Sequence, residues 1–180
     1  MSAERNGGRG SSEPGYFGKA MSDNQNNYPI RCHPAHPPPL EHWNQPVVLM
    51  VTAGLRKPNG YHCFDNHSFH ESVLKAWDRA QEWRIGYYMI MPDHLHFFCV
   101  PGRHERVSIG DWSRKWKSFV TTGLARPDWR WLPGCWDTQM RGLDHYVEKL
   151  GYVQMNPVRK GLADAPETWK YQGEVARIEW

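Results

Sequence analysis

The stretch from residue 85 to residue 100 constrains the fold of this 180-residue chain more than any other. Two runs rich in aromatic and branched residues, 85–91 and 95–100, lie on either side of Pro92-Asp93. Runs of this composition, separated by a pair of turn-forming residues, predict two strands joined by a tight turn. We therefore expect an antiparallel hairpin at the centre of the chain.

The second strand of this hairpin begins with a pair of histidines. His94 and His96 point the same way because residues two apart share one face of a strand, and Leu95 points to the other face. At roughly 6–7 Å between Cα atoms, two neutral imidazoles can bind one divalent metal ion if a third ligand comes from elsewhere in the chain. Most His-x-His pairs are ordinary half-exposed strand surface. This pair interrupts a run of core residues, and such an interruption favours a functional role.

A further strand and a helix precede the hairpin in the chain. Residues 46–53 are almost all apolar or β-branched, as expected of a central strand that lies beside the histidine strand. Ser68-x-x-Glu71 has the form of a capping box, and apolar residues recur after it at helical spacing. We predict an amphipathic helix that begins there and ends near Arg84.

A second helix is predicted after the hairpin. Ser108-x-x-Asp111 is again a capping box, and it opens an apolar stripe. Basic residues that lie off the stripe form either an ordinary solvated face or a cradle for phosphates. The Trp-rich segment 128–137 contains Pro-Gly and predicts a turn next to a short edge strand. The stripe residues are Ile109, Trp112, Trp116 and Phe119, and the basic residues off it are Arg114, Lys115 and Lys117.

The third predicted helix, residues 141–156, places a phenol beside an amide. We expect Pro157 to end this helix and the apolar residues of the helix to face the core. Residues three, four and seven apart stack on one side of a helix, so a polar face lies opposite, with Tyr152 one turn from Asn156. The residues expected to face inward are Leu143, Val147, Leu150 and either Val153 or Gln154, and the opposite face carries His145, Glu148, Tyr152 and Asn156.

These residue types suit reversible cleavage of DNA. A phenol has a pKa of about 10 and is a weak nucleophile, but a phosphotyrosine ester keeps the energy of the phosphodiester for later rejoining. A divalent metal ion, Mg²⁺ or Mn²⁺, bound by His94, His96 and the Asn156 amide would polarise the phosphate that Tyr152 attacks. Tyr146 is the rival nucleophile, but the residue four positions after it is a leucine, which cannot bind a metal. We therefore predict Tyr152 as the nucleophile.

Composition limits the classes of protein to which the chain can belong. The formal net charge of +3 permits a nucleic-acid partner without requiring one. The 4 cysteines lie far apart without a C-x-x-C pair, and no apolar run is long enough to span a bilayer. We expect a cytoplasmic protein with reduced thiols. Residues 1–44 predict a flexible arm, in which Cys32, His33 and His36 are not favoured as a metal site.

Three segments, 91–97, 116–119 and 152–162, read Met-Pro-Asp-His-Leu-His-Phe, Trp-Lys-Ser-Phe and Tyr-Val-Gln-Met-Asn-Pro-Val-Arg-Lys-Gly-Leu. In this order and spacing they resemble the REP-associated tyrosine transposases, which belong to the HUH superfamily of single-strand DNA nucleases and transposases. Related small transposases carry Gln where Asn156 stands, and Asn is one methylene shorter. The metal contact of Asn156 is therefore one point at which the chain departs from the family.

The resemblance implies an α+β fold, with an antiparallel sheet and helices packed on it, ferredoxin-like in character. The HUH domain would span residues 45–165, followed by a C-terminal tail, 166–180. His94 and His96 would bind the metal and Tyr152 would form a 5′-phosphotyrosine link. The implied partners are single-stranded DNA hairpins, without a membrane or a nucleotide cofactor, and the expected state is a monomer or a homodimer. The residues expected to bind DNA are Arg114, Lys115, Lys117, Arg159 and Lys160.

The expected function is metal-dependent cleavage and rejoining of single-stranded DNA at foldback hairpins, by an enzyme of the transposase type. An alternative is a domesticated hairpin-binding protein that keeps the metal site but has little or no turnover. A third hypothesis is a metal-dependent hydrolase that uses water and would stay active after Tyr152→Phe. Formation of a covalent protein–DNA adduct distinguishes the first hypothesis from the other two.

Overall fold

The computed structural model of the chain describes residues 47–56, 67–102, 107–125 and 130–180. The arm predicted for residues 1–44 and the interpretation of its cysteine and histidines lie outside the described residues. The described elements begin in the order β-α-β-β-α-β, which is that of a ferredoxin-like unit. The elements are β1 (Leu49–Arg56), α1 (His67–Arg79), β2 (Trp83–Ile90), β3 (His94–Pro101), α2 (Ile109–Leu124), β4 (Arg130–Trp131), β5 (Trp136–Gln139), α3 (Leu143–Gln154), α4 (Asn156–Arg159), a 3-10 turn (Pro166–Thr168) and β6 (Gln172–Glu174).

The strands form one open antiparallel sheet. Its order is β4-β1-β3-β2-β6, and β5 also pairs with β1. β3 lies between β1 and β2 because α1 carries the chain over from one to the other, and the predicted hairpin of β2 and β3 is present. The predicted α+β fold, an antiparallel sheet with helices packed on it, is therefore confirmed.

Helices cover both faces of this sheet. α1 and α2 pack on one face around an aromatic core that includes Trp77, Phe97 and Trp116. α3 packs on the other face, where Val153 belongs to the same apolar cluster as Phe98. We call this second face the histidine face, because side chains alternate along β3 and the pair of histidines lies on it. Its residues on β3 are His94, His96, Phe98 and Val100, and its residues on β1 include Thr52 and Gly54.

The N-terminus of α2 has the predicted cap. The Ser108 hydroxyl accepts a hydrogen bond from the Asp111 backbone N–H at 3.0 Å. In the stripe that follows, Ile109, Trp112 and Trp116 are buried and Phe119 is partly buried. The Trp112 indole donates to the carbonyl oxygen of Ala80 at 2.7 Å. α2 is thus tied to the segment that leads from α1 into the sheet.

The first helix ends earlier than predicted. α1 ends at Arg79 because Trp83 and Arg84 already pair with Pro101 and Val100 at the start of β2. Over a run this short, the apolar pattern of a helix end cannot be distinguished from that of a buried strand. The prediction that the helix reaches Arg84 is therefore wrong by about one turn.

Pro157 does not end the helical segment as predicted. α3 ends at Gln154, and Pro157 lies in the first turn of α4, which continues to Arg159. Proline is tolerated there because the first N–H groups of a helix have no intrahelical partner. Within the described ranges, none of the helices combines the length and the apolar character needed to cross a membrane.

The inward face of α3 also differs from the prediction. Leu143 and Val147 are exposed, and Tyr146 packs against the sheet instead. Its ring meets that of Phe98 edge-on, with 4.8 Å between the centroids. An aromatic ring buries more apolar area than a valine and gains the edge-to-face contact as well. The residues that face inward as predicted are Leu150 and Val153.

The segment predicted as a C-terminal tail contains a strand. β6 pairs antiparallel with β2 through Tyr87, Tyr88 and Met89. Just before it, the Trp169 indole donates to the carbonyl oxygen of Ile90 at 2.8 Å. Gln-Gly-Glu shows no apolar alternation, so no sequence pattern indicates this edge strand. The domain boundaries themselves stay a prediction.

We expect Gly102→Ala to destabilise the protein. A Cβ atom at position 102 would lie 2.9 Å from the carbonyl oxygen of Glu82 and closer still to that of Gln81, and both are backbone atoms that cannot rotate away. Overpacking of this kind costs about 1–3 kcal/mol. Urea unfolding followed by circular dichroism measures the change in the free energy of unfolding.

Gly151→Ala is the matched control. Gly151 lies within α3, and a Cβ atom there meets nothing within 4 Å. Alanine should therefore raise the free energy of unfolding by roughly 0.5–1 kcal/mol through its helix propensity. A Gly102→Ala protein as stable as the wild type would contradict the packing of the turn that precedes β2.

Candidate active site on the histidine face

His94 and His96 lie side by side on the histidine face. β3 pairs with β1 so that His94 is opposite Gly54 and His96 is opposite Thr52. The two imidazole centroids are 4.7 Å apart, and the ring planes make an angle of 77°. The fold therefore brings the two predicted metal ligands together at the turn end of the hairpin.

Both imidazoles are oriented through Nδ1. The Nδ1–H group of His94 donates to Asp93 Oδ1 at 2.7 Å, and Nδ1 of His96 lies 2.8 Å from Thr52 Oγ1. A carboxylate only accepts, so the contact with Asp93 keeps Nδ1 of His94 protonated. A hydroxyl accepts and donates, so the contact with Thr52 is compatible with the same tautomer of His96. In that tautomer Nε2 keeps its lone pair. Metal-binding histidines are commonly oriented in this way by a partner on the other ring nitrogen.

Burial keeps His96 uncharged. Burial, and to a smaller degree the charge of His94, lowers the pKa of His96 from 6.5 to about 3, while Asp93 acts in the opposite direction. Met89 of β2 lies opposite His96 on the side away from β1. The neutral imidazole is the form that binds a metal ion, so His96 is in that form at neutral pH.

Contacts at the two ends of the α3–α4 segment give its direction across the histidine face. Near its beginning, Tyr146 packs on Phe98. Beyond its end, α4 contacts the 3-10 turn, and Trp169, directly after that turn, binds the carbonyl of Ile90. Ile90 pairs with Leu95, next to the histidines. The helical segment therefore runs from the Phe98 end of β3 towards its His94 end.

The lengths of helix and strand agree with this direction. α3 rises about 12 Å between Tyr146 and Gln154, and β3 spans about 13 Å between Phe98 and His94. We therefore expect Tyr152, near the C-terminal end of α3, at the same end of the sheet as the histidine pair.

Asn156 has a buried amide with an unsatisfied atom. The residue is 5% exposed, and Nδ2 has no hydrogen-bond partner within the described part of the chain. Amide oxygen and nitrogen are assigned from the hydrogen-bond network, so a half-turn of the amide would put its oxygen at this position. An amide oxygen in such a place suits a divalent cation. The described ranges hold no group of three or more His, Cys, Asp or Glu that could bind a metal.

Tyr152 is accessible and is in contact with a cation. Its side chain is 47% exposed, and the guanidinium carbon of Arg159 lies 4.8 Å from the centroid of its ring. A cation over the ring face attracts the aromatic quadrupole and restrains the ring. Arg159, predicted to bind DNA, is therefore next to the predicted nucleophile.

Tyr146 is the poorer nucleophile of the two tyrosines on α3. Its ring packs against Phe98, and it also contacts Trp180 with 5.3 Å between centroids. Burial, followed by the charge of Glu174, raises the pKa of its hydroxyl. Both effects make the Tyr146 phenolate harder to form and to reach.

The other basic residues predicted to bind DNA differ in their surroundings. Arg114 forms an ion pair with Asp111 within α2, and Lys115 forms one with Glu82. The pair of Arg114 with Asp111 is exposed and contributes little to stability, so Arg114 can exchange its carboxylate partner for a phosphate. Lys115 is itself exposed, but its partner Glu82 is mostly buried. Lys160 is exposed at the end of α4.

Lys117 does not lie with these surface groups. It is 5% exposed, and its ammonium group donates to the carbonyl oxygens of Leu132, at 3.3 Å, and Gly134. Burial lowers its pKa to about 8. The apolar stripe of α2 places Lys117 on the outside, but the segment after β4 covers that flank of the helix.

Sequence reasoning missed Thr52 and Asp93. Thr52 is a hydroxyl within an otherwise apolar strand, and its role follows only from the register that sets it opposite His96. Asp93 directly precedes His94, and its place in the hairpin turn does not by itself indicate that its carboxylate binds the His94 ring. Thr52 could have been identified as a polar residue that the strand register places opposite a candidate ligand.

Known proteins resemble this chain in sequence and in fold. No family model matches the chain. A REP-associated tyrosine transposase of Escherichia coli (strain K12) is 25% identical over 122 residues, which cover 61% of this chain and 68% of that protein. A solved structure of a REP-associated tyrosine transposase bound to a REP hairpin shares the fold, with a TM-score of 0.59 and 18% identity over 74% of this chain and 79% of the other. The resemblance to this family expected from the motifs is confirmed.

We expect His96 to stay neutral in the metal-free protein down to about pH 4. With a folded pKa of about 3 against 6.5, the unfolded chain binds a proton in this window that the folded chain does not. The contribution of His96 to stability is therefore complete above pH 6.5 and is lost as the pH falls towards 3. Nuclear magnetic resonance titration of the ring in the presence of chelator, assigned with His96→Gln, checks this. A midpoint near the ordinary histidine value would contradict the burial of this ring.

Proposed function

We propose that this chain cleaves and rejoins single-stranded DNA at foldback hairpins, with Tyr152 as the nucleophile. In the proposal, His94, His96 and Asn156 hold a divalent metal ion, Mg²⁺ or Mn²⁺. The observation that carries the proposal is the pair of imidazoles whose Nδ1 atoms are both engaged, on the face of the sheet that α3, the helix with Tyr152, covers. Arrangements of this kind leave Nε2 of each histidine for a cation.

The residues present suit a hard divalent cation. Two imidazole nitrogens and one amide oxygen leave coordination positions for phosphate oxygens. When bound, the ion would polarise the scissile phosphate and offset negative charge in the transition state. Asp93 and Thr52 hold the imidazoles in orientation before any ion binds, which reduces the cost of ordering the site.

The proposed step conserves protons and needs no nucleotide cofactor. Tyr152 Oη attacks phosphorus, and the bond from phosphorus to the 3′ oxygen of the preceding nucleotide breaks. The phenol loses one proton and the departing 3′ oxygen gains one. The DNA stays joined to Tyr152 through its 5′ phosphate, and a 3′ hydroxyl can reverse the attack. The exposure of Tyr152 supports access by the strand that is cleaved and by the 3′ hydroxyl that reverses the attack.

Basic residues near Tyr152 support a DNA substrate. Arg159 lies against the Tyr152 ring and is followed by Lys160, so a phosphate at the tyrosine hydroxyl would have cations beside it. Arg114 and Lys115 on α2 are further candidates for backbone contacts. A hairpin is favoured because the transposase with the shared fold was solved bound to a REP hairpin.

We expect Tyr152→Phe to abolish the covalent protein–DNA adduct. The substitution removes only the hydroxyl, so hairpin binding and the stability of the fold should be kept. The measurement is incubation with labelled single-stranded hairpin oligonucleotides and Mn²⁺, followed by a denaturing gel and mass spectrometry of the modified tryptic peptide. In the wild type, the 5′ phosphate should be on Tyr152, and excess chelator should remove the adduct.

Tyr146→Phe is the matched control, because it removes a hydroxyl from the same helix and should leave the adduct in place. An adduct on Tyr146, or a 3′-phosphotyrosine, would refute the assignment. Hairpin binding by the wild type without any adduct would favour the binding protein, and cleavage that survives Tyr152→Phe would favour the hydrolase that uses water.

A further inference from the structure

Lys117 is a buried cation with a defined set of partners. Its ammonium group donates to the carbonyl oxygens of Leu132, at 3.3 Å, and Gly134, and lies 5.3 Å from the centroid of the Trp131 ring. In return, the Trp131 indole donates to the Lys117 carbonyl oxygen at 3.2 Å. Residues 132–134, which we call the clamp turn, are thus held to α2 by charge-assisted hydrogen bonds.

The clamp turn lies against the end of the sheet that carries the histidines. The Leu132 N–H donates to the carbonyl oxygen of Gly54 at 2.9 Å, and a Cβ atom on Gly54 would lie 2.8 Å from Leu132 Cδ1. Gly54 is opposite His94 in the pairing of β1 with β3. The next residue, Leu55, donates its N–H to the carbonyl oxygen of Asp93 at 2.9 Å.

These contacts form a continuous path from Lys117 to the site. The path runs from the ammonium group through the clamp turn to Gly54 and Leu55, and from there to Asp93 and His94. Removing the ammonium group would leave the carbonyl oxygens that it binds without that donor, which costs more than the hydrogen bonds themselves contribute. The clamp turn would keep the Leu132 N–H bond to Gly54 but lose its tie to the Lys117 ammonium group, so the backbone that leads to Asp93 would be less firmly fixed.

We propose that Lys117 is a positioning residue, whose ammonium group holds the clamp turn against Gly54 and so fixes Asp93 and the ring of His94. This inference deepens the proposed function, on which its metal-binding consequence rests. Lys117 then differs from the surface lysines, because its charge binds the backbone of the clamp turn and does not bind DNA.

The test compares Lys117→Met with the wild type in two measurements. Methionine keeps the length and the apolar stem of the side chain but removes the charge and every donor. In metal-free protein, long-range proton–nitrogen spectra should show the single Nδ1-protonated tautomer of His94 in the wild type and a mixture of tautomers in the variant. Mn²⁺ affinity, measured by electron paramagnetic resonance of the free ion, should fall roughly 10- to 100-fold, as for other losses of support behind a ligand.

Lys75→Met is the matched control for a lysine-to-methionine change, because Lys75 is exposed on α1 and pairs only with Glu71 among its described neighbours. Both measurements should match the wild type.

Leu132→Ala tests the same path from the other side, with Lys117 in place, if Lys117→Met fails to fold. It should also mix the His94 tautomers and weaken Mn²⁺ binding.

An unchanged His94 tautomer in Lys117→Met or in Leu132→Ala would overturn the inference.

The salt dependence of hairpin binding provides a second decisive result. The logarithm of the binding constant falls linearly with the logarithm of the salt concentration, and loss of one phosphate contact reduces the magnitude of this slope by roughly 0.7 for single strands. An unchanged slope in Lys117→Met therefore supports the clamp, and a reduced slope refutes it. A wild-type protein that binds no Mn²⁺ would contradict the proposed metal site, while the tautomer measurement would still decide the role of Lys117.

Discussion

The register between β1 and β3 is the constraint on which the candidate site depends. It sets Thr52 opposite His96 and Gly54 opposite His94. A shift of one residue would turn every side chain of β3 to the other face, so both histidines would enter the aromatic core beneath α1 and α2. Apolar clusters on both faces of the sheet oppose such a shift. Packing far from the histidines therefore determines where their nitrogens point.

The polar groups at this end of the sheet interrupt an otherwise apolar core, and each is held by a partner. Asp93 and Thr52 bind the two imidazoles, and Lys117 binds the clamp turn beside Gly54. Asn156 is the exception, because part of its buried amide lacks a partner in the described chain. An unsatisfied buried polar atom costs roughly 1–3 kcal/mol. An unsatisfied amide on the segment that runs towards two oriented histidines is what a site built to bind a cation would show.

Patterns with a clear period predicted the elements that form the framework of this site. The alternation of β3 put His94 and His96 on one face, and the Ser108 cap and apolar stripe defined α2. Features that depend on the whole fold were missed. The rotation of α3 towards Tyr146 follows from a contact with Phe98, which is distant in sequence, and β6 has no apolar pattern of its own. Lys117 was assigned to the surface because a stripe of apolar residues does not reveal which other segment covers the flank of a helix.

The central claim is that the two imidazoles and the α3–α4 segment meet at one cation. Diffraction from crystals grown with Mn²⁺, recorded at a wavelength where manganese scatters anomalously, locates the ion directly. We expect one anomalous peak within bonding distance of Nε2 of both His94 and His96, with the Asn156 amide oxygen as the third protein ligand. A peak bound through Nδ1, a peak elsewhere on the surface, or no peak on the histidine face would contradict it.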